Sequence, residues 1–101
     1  MKRHERFIFR LYTAEDTHNS ALAFANLLAI CKAHLEDNYS IEVIDVIKQP
    51  DRALADGIRM TPTLMKMAPL PVRTLIGTLS HKERVMNALG IAVSAPVGAP
   101  S

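Results

Sequence analysis

Cys31 is the one thiol in this chain, so the first chemistry to weigh is what a lone cysteine can do. It makes no internal disulfide, no Cys-x-x-Cys redox pair and no cysteine-based zinc cluster. It recurs with Phe24, Leu27, Leu28 and Leu35 at helical spacing. The sequence therefore predicts a thiol buried in an apolar stripe, where cysteine behaves as a small hydrophobe. His34 follows three residues later on the same helical face. A metal would need a third and a fourth ligand, and none stands at a fixed spacing to these two, so no metal site is expected. His4 falls in a charged lead-in, and His18 and His81 fall near expected helix starts, in solvent.

The remaining chemistry is sparse. There is no Gly-x-Gly-x-x-Gly or Gly-x(4)-Gly-Lys-Ser/Thr phosphate loop, and no Ser-His-Asp or Cys-His set has a motif around it. The acids are scattered. Asp45 is the most suggestive, because it interrupts the apolar run 41–47. It reads either as a half-buried acid paired to a basic neighbour or as a contact that faces a partner. With no catalytic signature and no cofactor motif, function is expected in a binding surface.

The elements that must position these residues follow from local patterns. Residues 7–13 are aromatic and β-branched and predict a strand. A helix is expected over about 17–35, with Asp16 or Thr17 as N-cap and many alanines to let it pack closely. The near-continuous apolar run 41–47 predicts a strand inside a sheet covered on both faces. Pro50 opens a short helix over 50–57 that Gly57 ends. Residues 64–67 and 72–76 read as strands joined by the stiff Pro69-Leu70-Pro71. Ser80-x-x-Glu83 reads as a capping box for a helix through Leu89, with Gly90 as its left-handed stop and Ile91 as the contact after it.

The order β-α-β-α-β-β-α, with a parallel, right-handed first half and an antiparallel hairpin, is an α/β thioredoxin-like arrangement on a mixed four-stranded sheet. In enzymes of that fold the reactive thiol sits at the N-terminus of the first long helix, where the helix dipole favours a thiolate. Here that loop reads Thr13-Ala14-Glu15-Asp16-Thr17, without a cysteine and with two acids that oppose a thiolate. Thiol oxidoreductase chemistry is thereby disfavoured. Thr61-Pro62 stands where such proteins carry a cis-proline before the third strand, so Pro62 is the candidate. It either turns the chain structurally or exposes backbone to a ligand.

Composition sets the outer bounds. The 101 residues, 49% hydrophobic and 22% charged, suit one folded domain and exclude a disordered chain. We expect the domain over 1–93 and a disordered tail over 94–101, which is small, uncharged and rich in Pro and Gly. No apolar run reaches the roughly 18–20 residues of a membrane span, and no signal-peptide pattern follows the charged start, so a cytoplasmic location is the default. Twelve basic and ten acidic residues give a net charge of +2, too balanced to predict nucleic-acid binding. Four of the twelve basic residues fall in the first ten positions, read as a solvated lead-in.

An ordered set of segments resembles the KaiB family of small bacterial clock proteins over about residues 7–91. It comprises Phe9-Arg10-Leu11-Tyr12, Asn19-Ser20, Val43-Ile44-Asp45-Val46-Ile47-Lys48 with Pro50, and Thr61-Pro62-Thr63-Leu64 with Lys66. Pro69-Leu70-Pro71-Val72-Arg73 and Ile76-Gly77-Thr78-Leu79-Ser80 complete it. The KaiB-like sensor domain of a clock-output histidine kinase is a related match. The resemblance implies a non-enzymatic protein without cofactors that docks on a KaiC-type ring ATPase in circadian or stress timing and, in true clocks, sequesters KaiA. It also implies two folds: a thioredoxin-like monomer that binds, and a tetramer with a rearranged C-terminal half. Asp45, Lys48 and Arg73 match the family and are the implied partner-binding residues. Glu42 stands where clock members are positively charged, Gly57 where a lysine is expected, and Thr78 where aspartate is usual. The tail lacks the usual acids. Ala88 replaces a common glycine, and alanine is favoured over glycine in a helix by about 1 kcal/mol, so the thioredoxin-like state is expected to dominate. The competing readings are a redox or transfer enzyme, and a sensory module that binds a histidine kinase or another receptor.

Overall fold

A computed structural model of the protein describes residues 6–15 and 17–92. Seven elements follow in chain order: β1 (Phe7–Thr13), α1 (His18–His34), β2 (Tyr39–Asp45), α2 (Pro50–Ala55), β3 (Thr63–Ala68), β4 (Arg73–Ile76) and α3 (Lys82–Leu89). The strands form one mixed sheet in the order β2-β1-β3-β4. β1 runs parallel to β2 from Phe7↔Tyr39 to Thr13↔Asp45. It pairs antiparallel with β3, which pairs antiparallel with β4. The expected tail 94–101, His4 and the alternative N-cap Asp16 lie outside the described residues.

Alternation along the strands divides the side chains between two faces. Phe9 and Leu11 of β1 and Leu64 of β3 meet Ala23, Leu27, Ile30 and Cys31 of α1 and Val85, Met86 and Leu89 of α3 in the main core. Tyr12 and Ile44 point the other way and form a smaller cluster with Ala53 of α2. β1 is the central strand of both.

The face that α1 buries differs from the expected stripe. Ser20, Ala23, Leu27, Ile30 and Cys31 are buried, whereas Phe24 is 37% exposed and Leu28 half-buried. Alanine and larger apolar residues stand all round this helix, so its periodicity selects no side, and the small Ala23 takes the close approach to the sheet. Thr17 caps the helix, its Oγ1 accepting from Ser20 N at 3.2 Å.

β2 is likewise not an interior strand covered on both faces. It is an edge, its Val43 is 48% exposed, and of its residues only Ile44 is fully buried. A continuous apolar run was compatible with an inner strand, but β3 takes the free side of β1 and leaves β2 outermost.

The capping box at Ser80 does not form. Ser80 Oγ lies 2.7 Å from Thr78 Oγ1, and α3 begins after His81, which makes no side-chain cap bond. The chain turns through the buried Leu79 at φ 62°, a left-handed conformation that leucine rarely adopts, and this shifts the helix start by one residue. The other end follows the expected stop. Gly90 adopts φ 74°, its N–H bonds to Asn87 O at 3.2 Å, and Ile91 N–H bonds to Met86 O at 2.9 Å with its side chain buried. Beneath that end the buried Lys66 donates from Nζ to Leu89 O at 3.1 Å, placing a cation at a helix C-terminus.

The Thr61–Pro62 peptide is cis, as are Ala68–Pro69 and Leu70–Pro71 in the β3–β4 turn, which the sequence reading did not anticipate.

Candidate partner-binding surface

The C-terminal ends of the parallel strands β1 and β2 meet the start of α1, the place where open α/β sheets carry their ligands. Val46 N–H continues the parallel ladder by bonding to Thr13 O at 2.8 Å. Ser20 Oγ accepts from Ala14 N at 3.4 Å and so ties the loop to the helix start. Glu15, Thr17, Asp45 and Lys48 line a shallow polar hollow there. No thiol reaches it. Cys31 is buried in the main core, and burial pushes its thiol up to about 12.

Asp45 has neither a basic partner among the described residues nor a carboxylate free of the backbone. Its Oδ1 accepts from Ile47 N at 2.8 Å, and its carbonyl accepts from Gln49 N at 2.8 Å. The acid thus shapes the turn between β2 and α2, which corrects the reading of it as one half of an ion pair. Lys48 shares the hollow with it.

Arg73 is not brought to this place. It opens β4 opposite Lys66, which is level with Phe9 of β1, while Asp45 ends β2 level with Thr13. The two lie on opposite edges and towards opposite ends of the sheet, on the order of 15–20 Å apart by strand spacing and rise. Pro62 lies between these edges at the start of β3. It is buried, and its carbonyl accepts from Gly77 N at 2.9 Å, so it joins the β3 entry to the β4 exit.

Sequence reasoning missed a charged network on the α2 face. Arg52 of α2 forks onto Glu42 of β2, with Nη2 to Oε1 at 2.9 Å and Nη1 to Oε2. The Arg52 hydrogen bonds hold the Glu42 carboxyl below the usual range. Asp56, just past α2, accepts on Oδ2 from the Tyr12 hydroxyl and from Arg10 Nη1 at 2.8 Å. Those bonds, the Tyr12 bond first, hold the Asp56 carboxyl below its ordinary value. Burial, and then the neighbouring Asp56, push the Tyr12 phenol up to about 12. Arg10 is therefore part of this network and not a solvated lead-in residue. The signal was present: Arg10 and Tyr12 are two apart in a strand and share a face, where a cation and a phenol need a common acceptor. That the acceptor is Asp56 could not be read from spacing.

Against known proteins, residues 10–91 match the KaiB domain. The chain belongs to the KaiB family. It is 42% identical to "Circadian clock protein KaiB3" of Synechocystis sp. over 86 residues, 85% of this chain and 84% of that one. It is 42% identical over 91 residues to "Circadian clock oscillator protein KaiB" of Synechococcus elongatus, 90% of this chain and 89% of that one. Among solved structures it superposes on the N-terminal domain of Synechococcus elongatus SasA with a TM-score of 0.70 at 20% identity, covering 89% of each chain. Chloroplastic thioredoxin z gives 0.70 at 19% identity, covering 85% of this chain and 77% of that one. These superpositions establish the thioredoxin-like fold. In this KaiB-family chain the helix-start loop that carries a reactive thiol in thioredoxin enzymes has none, and no described helix is long and apolar enough to cross a membrane.

Proposed function

We propose that the protein is a non-enzymatic regulatory partner in a KaiB-type timing system, cytoplasmic, and that it binds a KaiC-type ring ATPase through its thioredoxin-like state. The observation that carries this reading is family membership over 10–91, together with a helix-start loop without a thiol. The relatives are named clock proteins. Asp45 and Lys48, side by side at the end of β2, form one docking pole, and Arg73 on the far edge forms a separate one. A KaiA-like protein or a histidine kinase are the further partners this reading admits. The modest net charge of +2 supports protein partners over nucleic acid.

The test is size-exclusion chromatography with light scattering, alone and with the host's KaiC-type ATPase and Mg-ATP. A monomer or dimer that joins the ring is expected, and Lys48→Ala should weaken the complex. A protein that never joins the ring overturns the reading. An insulin-reduction assay should give no turnover, and measurable turnover would restore the redox alternative.

A further inference from the structure

The α2 helix is six residues long, too short to hold itself in water. It buries only Ala53, and its Leu54 is 78% exposed. Beside that small apolar contact, in which the partly buried Val46, Ile58 and Met65 join Tyr12 and Ile44, what fastens it to the sheet is polar: Arg52 to Glu42 on β2, and Asp56 to Arg10 and Tyr12 on β1. The small cluster beneath it shares no residue with the main core, which lies on the other side of the sheet. From these contacts we propose that α2 is a polar-latched strap. It opens from the sheet as a unit while the α1–α3 side stays folded, and ionic strength and the two ion pairs set how often it opens.

The latch has an outer and an inner part. The Glu42 side chain is 52% exposed and that of Asp56 only 17%. Salt shortens the range of charge interactions from about 10 Å at 0.1 M to about 3 Å at 1 M, and exposed pairs feel this most. The outer pair therefore weakens first, and the inner Tyr12–Asp56–Arg10 set holds until Asp56 loses its partners. Opening bares Tyr12, Ile44 and the half-buried Met65, all of which α2 and the segment after it now screen.

Site-resolved hydrogen exchange on the whole protein tests this. The reporters are the Asp56, Gly57 and Ile58 amides, which bond to Arg52, Leu54 and Ala53 carbonyls, against Leu11 and Leu64 of the sheet centre. The strap amides should exchange faster than the central ones. They should speed up about threefold between about 0.05 M and 1 M NaCl and in Glu42→Gln, a change of the size expected for an exposed pair. Tyr12→Phe should speed them about tenfold, since it removes a hydrogen bond to a charged group. The central amides exchange through global opening, so under either change they should speed up by no more than that same factor and stay far slower than the strap amides. Strap and centre exchanging at one common rate would overturn the proposal, and so would strap amides indifferent to salt and to Glu42→Gln. If Tyr12→Phe loosens the whole domain, Glu42→Gln decides alone, because its side chain is on the surface.

Discussion

The two faces of one sheet are held in different ways. Under α1 and α3 lies a continuous apolar core running from Phe9 and Leu11 to Met86 and Leu89, with a buried cation, Lys66, turned to a helix end. Under α2 lie Tyr12 and Ile44, packed against its Ala53 with the partly buried Val46, Ile58 and Met65 around them, and charge and hydrogen bonds complete the attachment. Apolar burial is non-directional, nearly indifferent to salt and costly to disturb anywhere. Charge pairs at the surface are directional, screened and weak one by one. The first face should therefore behave as the foundation of the fold and the second as its adjustable side.

The largest expected effect comes from the apolar face. Leu27→Ala removes a fully buried side chain between α1 and the sheet and should cost about 2–5 kcal/mol in urea unfolding. A loss below about 1 kcal/mol would mean that this core collapses freely around the gap. On the other face, Asp56→Asn removes the charge that Arg10 and Tyr12 share and should cost about 1–2 kcal/mol, less than half of the larger value. Equal costs would erase the contrast between the faces.

How far this contrast was legible in the sequence depends on the kind of force. The strand 7–13 and the Gly90 stop match the structure residue for residue, because β-propensity and left-handed backbone are local properties. Helix α1 was placed but not oriented: with alanines on every side, no stripe in the sequence could prefer Ala23 to Phe24. β2 was found but put inside the sheet, since which strand joins the free side of β1 is a tertiary choice. The family emerged from ordered short segments, whereas the Arg52–Glu42 and Asp56–Tyr12 contacts could not, because they join residues ten and forty-four apart with no motif between them. The candidate site residues could be named from the sequence but not located relative to one another, as the separation of Arg73 from Asp45 and Lys48 shows.

A next, smaller effect lies at Gly90. At φ 74° a side chain is strained even though an added Cβ would come only within 3.8 Å of Lys66 Nζ. Gly90→Ala should cost about 1 kcal/mol, visible as a lower Tm with no change in the α2 amides. Stability should also depend on pH in two windows. Asp56 has a depressed carboxyl pKa, so its contribution is present above the ordinary 3.8 and is lost as pH falls through its lower folded value. Cys31 and Tyr12 are raised to about 12, from 9.0 and 10.0. Their contributions are whole below those ordinary values and disappear as pH climbs towards 12. Cys31→Ala should flatten the alkaline limb from its lower end, and Tyr12→Phe from its upper end, in unfolding curves taken at stepped pH.

The smallest effect is the sharpest for the comparison. Glu42→Gln keeps the length of the side chain, removes its charge and turns one of the two oxygens that accept from Arg52 into an NH2 donor, at an exposed position on an edge strand. If α2 were held by its apolar contact, the substitution would change nothing measurable. If the charge pair holds it, the strap amides should exchange about threefold faster, and the urea midpoint should fall only by the same small free energy, because the pair is lost in the open strap and in the unfolded chain alike. The reversed variant, Glu42→Lys, goes further. It sets a cation against Arg52 on the neighbouring helix and should open the strap more than Glu42→Gln does at low salt, with the gap between the two closing near 1 M NaCl as screening removes the repulsion. A gap that persists at about 1 M salt would mean that the lysine acts by its shape rather than its charge, and the two faces would then differ in area buried and not in the kind of force that holds them.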